Sequence, residues 1–186
     1  MMKRKCIFPF LVTLGILLVS CSAQKKTASA AERSKVEALV NSKSFELDAR
    51  WATPLMTRSM NAIAAAGFIQ PGSSPGRIDI IGTASYLKVK NDSVMAHLPY
   101  YGERQFGGVY NADEAGIQFE GLAEDFTMEY NEKKQHYNFE FDVVNEFGEA
   151  FNINGIVYPN LKTRFFINSN ERLTIGYSGI VASLED

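Results

Sequence analysis

Two histidines and two cysteines are the whole supply of imidazole and thiol in this 186-residue chain. His97 and His136 each fall on the polar phase of an alternating segment, so both are expected to be solvated rather than to ligate a metal or act as a base. No histidine pair has zinc spacing, and Ser93, although it follows Asp92, has no histidine placed to activate it. A Gly-x-Ser-x-Gly elbow and a phosphate-cradling glycine loop are both absent. The neighbouring carboxylates Asp113-Glu114 and Glu124-Asp125 would point to opposite faces in a strand and into solvent in a loop, so they do not make an acid/base pair. This inventory argues against an enzyme and against any metal or other cofactor, with an uncharacterised hydrolase as the remaining catalytic alternative.

Cysteine chemistry here concerns anchoring. Lys3, Arg4 and Lys5 precede an apolar run from Ile7 to Val19, which is a secretory signal pattern. The run covers 13 residues, short of the roughly 20 that a membrane-spanning helix needs. It ends in Leu18-Val19-Ser20-Cys21, the arrangement of small residues before a cysteine that bacterial lipoprotein processing recognises. Residues 1–20 are therefore expected to be a cleaved signal, with Cys21 the lipidated N-terminus. Acyl chains supply about 0.8 kcal/mol per buried methylene, so two or more hold a protein stably without an apolar patch on its surface. Cys6 leaves with the signal, and the mature chain then has neither a free thiol nor a disulfide.

Removing residues 1–20 leaves 166 residues, enough for one domain, and takes the formal charge from −2 to −5. Such a surface repels nucleic acid. Residues 21–31 read as a flexible tether, and residues 32–186 as a single β-rich domain. The tether carries Lys25 and Lys26 rather than acidic residues, which favours the periplasmic side of the outer membrane over the cell surface.

Val36, Leu39 and Val40 at i, i+3 and i+4 predict a short N-terminal helix, and Met56, Met60, Ile63 and Ala64 allow a second that Gly67 could end. The period then becomes two. Ile78 and Ile80, Leu87 and Val89, and Val94, Ala96 and Leu98 alternate with polar partners, with Asn91-Asp92 as a tight hairpin turn. After Gln135 four more alternating runs are separated by Glu146-Phe147-Gly148, Pro159-Asn160 and Asn168-Ser169-Asn170. Breaks this short admit only antiparallel neighbours, so the fold class is mainly β: an antiparallel meander forming a sandwich or a partly closed barrel, with a short N-terminal helix.

Packing alone does not account for Leu98–Phe119, where Tyr100, Tyr101, Phe106 and Tyr110 stand beside Gly102 and further glycines. Loops this long inside a domain are often functional. The tyrosines either fold back over the open end of the sheet or contact a ligand or partner, since tyrosine gives large contact area at little entropic cost.

The stretch Tyr86-Leu-Lys-Val-Lys-Asn-Asp-Ser-Val-Met-Ala-His-Leu-Pro-Tyr-Tyr-Gly102, then Gly116-Ile-Gln-Phe119 and Ile175-Gly-Tyr-Ser-Gly179, resembles the family known as domain of unknown function 4251. The likeness covers roughly residues 35 to 182. It implies a small lipoprotein of a Gram-negative anaerobe with no assigned activity, and it carries over no catalytic residue. One departure is Asn160-Leu161, where the family is expected to favour Asn-Gly. The resulting expectation is an outer-membrane lipoprotein that touches the membrane through its lipid only. It would act as a non-catalytic module for a small apolar, glycan or peptide ligand; the alternative is a structural or docking component of the envelope.

Overall fold

A computed structural model describes residues 28–106 and 115–184; the signal, Cys21 and Tyr110 lie outside the described residues. Helix α1 spans Ala30–Asn41. Ser29 caps it: its hydroxyl accepts from the Glu32 N–H, and the Glu32 carboxylate accepts from the Ser29 N–H at 2.8 Å. The helix starts where it does because Ser29 and Glu32 form a reciprocal capping box. Val36 is buried, with Leu39 and Val40 packed beside it.

Strand β1 (Ser44–Pro54) follows, then α2 (Arg58–Ala65) and the two-residue β2 (Ile78–Asp79). Next come β3 (Tyr86–Lys90), β4 (Ser93–Leu98), β5 (Ile117–Leu122) and β6 (Glu124–Asn131). The chain ends with β7 (His136–Val144), β8 (Ala150–Val157), β9 (Lys162–Ser169) and β10 (Ile175–Ser183). Every pairing is antiparallel, in the order β5-β4-β3-β1-β10-β9-β8-β7-β6, with β2 on β1.

The two ends of that order are nearly one strand. Only Ala123 separates β5 from β6, and Asp125, at φ 51°, bends the chain where the β6–β7 register shifts. The chain thus crosses from beside β4 to beside β7 and all but closes a barrel. A Cβ on Gly121 would stand 3.5 Å from Val143, and Asn145 Nδ2 donates to Gln118 O across the seam at 3.4 Å. Apart from the short β2, which lies off the path, and the β5–β6 seam, each strand pairs with the next in sequence, and β10 returns to β1, which is an up-and-down barrel.

Side chains fill the interior. Leu47, Phe141, Ile153 and Phe165 are fully buried, and Phe165 stacks on Tyr177 with centroids 5.3 Å apart. Burying one such side chain stabilises the fold by roughly 1.5–3 kcal/mol. Gly155 yields its inward space to the Phe139 ring, which lies 2.5 Å from where a Cβ would be.

The barrel has two different ends. One holds the start of β1 and the β6–β7 turn, and α1 covers it, with Arg33 Nη2 donating to Gln135 Oε1 at 3.3 Å. The other gathers Pro54, Leu98, Ile117, Ser169 and Ile175, and it carries α2 and the aromatic loop.

Candidate functional site

At this second end the loop after β4 lies on the turn between β9 and β10. Leu173 N–H donates to Glu103 O at 3.1 Å, and Gln105 N–H donates to Glu171 O at 2.6 Å. Beneath them lies a buried ionic cluster. Arg172 donates from Nε to Glu149 Oε1 at 2.8 Å and from Nη2 to Oε2 at 3.0 Å, and its Nη1 donates to Gly116 O at 2.8 Å. Ser169 Oγ donates to Glu149 Oε1 at 2.5 Å. Arg104 Nη2 reaches Glu171 at 2.6 Å and Glu149 at 3.7 Å.

Tyr100 rests on this base. Its hydroxyl lies 2.9 Å from both Glu103 O and Leu173 O, and the Arg172 guanidinium sits 5.3 Å from its ring centre. Burial pushes the Tyr100 phenol up to about 12. Tyr177 donates to Pro99 O at 2.8 Å, and burial likewise holds its phenol well above the ordinary value. Tyr177 reaches the end of the barrel from its buried place on β10, and Tyr100 folds back over that end. Gly102 permits this, since a Cβ there would fall 2.4 Å from the Tyr100 hydroxyl oxygen.

Tyr101 and Gly102 do something else. With Glu103 they form one wall of a cleft of about 260 Å³ whose other wall is α2 and the segment after it. Met60 and Ile78 are nearly buried at its base, while Ile63 and Phe68 are exposed at its edge. Thr57 builds that second wall. Its hydroxyl oxygen caps α2 by accepting from Met60 N–H at 3.2 Å, and the hydroxyls of Thr57 and Ser59 donate to the Glu103 carboxylate. Those two bonds hold Glu103 below the usual carboxylate range. Burial raises the Tyr101 phenol.

The structure thus brings Tyr100, Tyr101 and Gly102 together and leaves Phe106 apart, its side chain largely exposed and outside the cleft lining. The sequence allows the α2 helix through Met56, Met60, Ile63 and Ala64, but neither its role as a cleft wall nor the Glu149–Arg172 cluster is visible there. Their members are distant in sequence, and only the fold assembles them. His136 is a correction: it is buried, not solvated, because it opens β7 against Tyr158, whose ring meets it edge-on at 5.7 Å, and its Nε2 lies 3.1 Å from Asn138 Oδ1. His97 is exposed, as expected, beside Tyr86. Among the described residues no three His, Cys, Asp or Glu side chains converge as metal ligands, and no helix is long and apolar enough to cross a membrane.

The model of the family Domain of unknown function (DUF4251) matches residues 27–181. The chain belongs to the DUF4251 family. The fold is shared with a DUF4251 family protein from Bacteroides eggerthii DSM 20697, known from a crystal structure. That protein has a TM-score of 0.55 and 16% identity, over 84% of this chain and 90% of the other. No curated protein matches. Membership confirms the likeness drawn from the Leu-Pro-Tyr-Tyr-Gly and Gly-Ile-Gln-Phe stretches.

Proposed function

We propose that this DUF4251 protein is an envelope lipoprotein that binds a small apolar ligand, without turnover, at the capped end of its barrel. The observation that carries this is the cleft between Tyr101–Glu103 and α2: an apolar base with a narrow polar rim, set on a buried ionic foundation. Ligand sites combine apolar lining with a few fixed polar groups in this way. At about 260 Å³ the cleft is smaller than a drug-sized site and suits a single ring or a short acyl chain. Its one charged group, Glu103, is occupied by two hydroxyls and favours a neutral guest over an anionic one.

Native mass spectrometry and thermal shift with short-chain alcohols and phenols would test this reading. A saturable rise in melting temperature that disappears in Ile63→Asp is expected, and the absence of any stabilisation by the series defeats it. The proposed anchor is Cys21 in Leu18-Val19-Ser20-Cys21, and Lys25 and Lys26 in the tether favour the periplasmic side of the outer membrane. Cys21→Ser should move the mature product from the membrane to the soluble fraction; full retention on membranes defeats that part.

One observation favours docking to an envelope protein instead. Phe68 is 81% exposed, and Leu55 and Met56, nearby in sequence, are 50% and 57% exposed. Crosslinking in cells would separate the readings: a recurring protein partner lost in Tyr101→Ala favours docking, and a co-purifying small molecule favours ligand binding.

A further inference from the structure

Away from the mouth, on the outer face of β6–β9, the geometry points to a second site, one that takes a ring of a neutral saccharide. A groove of about 340 Å³ runs there, made by side-chain length. Asn138 and Asn154 are short residues on its floor, while Glu129 on β6 and Arg164 on β9 stand at its sides.

Asparagine is disfavoured in strands, yet Asn138, Asn152, Asn154 and Asn168 all occupy them here. Three of these form a ladder: Asn154 Nδ2 and Asn168 Nδ2 each donate to Asn152 Oδ1 at 3.3 Å. Asn152 Nδ2 donates in turn to Asp142 Oδ1 at 2.9 Å and Glu140 Oε1 at 3.2 Å. The ladder fixes the Asn154 amide with its oxygen left over. Among the described residues the Arg164 and Glu129 side chains make no hydrogen bond or ion pair. Arg164 is held by stacking, its guanidinium 4.9 Å from the Phe166 ring centre, so its donors remain available. Phe166 can lie flat because Gly176 beneath it has no side chain, and a Cβ there would be 3.0 Å from the ring.

The choice of occupant follows from what the groove offers. Strands β7 and β8 are paired on both sides, so no backbone edge is open for an extended peptide. Glu129 and Glu140 outnumber Arg164, which disfavours an anion. Planar amide, carboxylate and guanidinium groups at fixed spacing match vicinal hydroxyls, which donate and accept at once.

Titrating the ¹⁵N-labelled protein with chitotetraose, cellotetraose and maltotetraose tests this. At least one should give saturable shifts in β7–β9 amides at concentrations up to about 10 mM, weakened about tenfold or more in Arg164→Met and in Asn154→Ala. Both positions are on the outer face, and melting curves of the variants confirm folding. Phe68→Ser, at the mouth, should leave the titration unchanged. No saturable shift with all three probes, shifts confined to other strands, or an unaltered Kd in both variants would overturn the proposal.

Discussion

Arg172 grips Glu149 through two near-parallel hydrogen bonds of 2.8 and 3.0 Å, with both side chains almost wholly shielded from solvent. Removing one partner leaves a buried charge uncompensated, which typically costs 3–5 kcal/mol. Arg172→Met and Glu149→Gln are each expected to lower unfolding stability by about that amount, and the double variant by less than their sum. Urea denaturation of the three variants measures this. Additive losses would mean that the pair is not coupled.

Tyrosine ionisation should limit alkaline stability. The folded state holds the Tyr100 proton to about 12 against an ordinary value of 10.0, and Tyr101 and Tyr177 shift the same way. A raised folded pKa means that the stabilisation is complete below the unfolded value and is lost as pH climbs through the folded one. Stability should therefore fall between pH 10 and about 12, read as chemical-denaturation midpoints, and Tyr100→Phe should flatten that fall.

Glu103 acts in the opposite direction. Thr57 and Ser59 hold its carboxylate below 4.5, so the tie between loop and helix is present above that pH and is lost as pH drops through the lower folded value. Amide exchange at Tyr101–Glu103 should quicken in acid, and Glu103→Gln should give the faster rate at neutral pH. Global melting should scarcely move, because the group is exposed.

Leu161 sits at φ 62° after the Tyr158–Leu161 turn, in the left-handed region where glycine is at ease. It also packs on the core. Alanine loses the packing and keeps the strain, whereas glycine loses the packing but relieves roughly 1–2 kcal/mol of backbone cost. Leu161→Ala should thus be less stable than Leu161→Gly, by thermal melting, an inversion of the usual order inside a strand.

That turn shows what kind of information the chain displays openly. Asn160-Leu161 departs from an Asn-Gly pattern, and the backbone nevertheless adopts the conformation that glycine would supply. The strands β7 to β10 were legible because alternation runs through Phe139, Phe141, Phe151, Ile153, Phe165 and Ile167 without a break. β1, an interior strand of the sheet order, does not show in the sequence as a single alternation. Phe45, Leu47 and Ala49 alternate inward, then the register shift between Ala49 and Trp51 puts Ala52 and Pro54 inward on the other phase. β6 is equally hard to read, since as a seam strand it buries none of its residues fully. At the mouth the tyrosines and Gly102 announced themselves by composition. Thr57 and Ser59 became visible only once α2 was folded against Glu103. Glu149 and Arg172 lie on separate turns that one barrel end brings together.

Ser44 and Pro54 stand at opposite rims, α1 leading into the first and α2 out of the second. At about 3.3 Å per residue the 11-residue strand that joins those rims spans roughly 33 Å. Any leash on the N-terminal side pulls on the plugged rim and turns the other toward open solution. A guest bound as proposed would then arrive from the free side, without having to squeeze between the protein and whatever holds it.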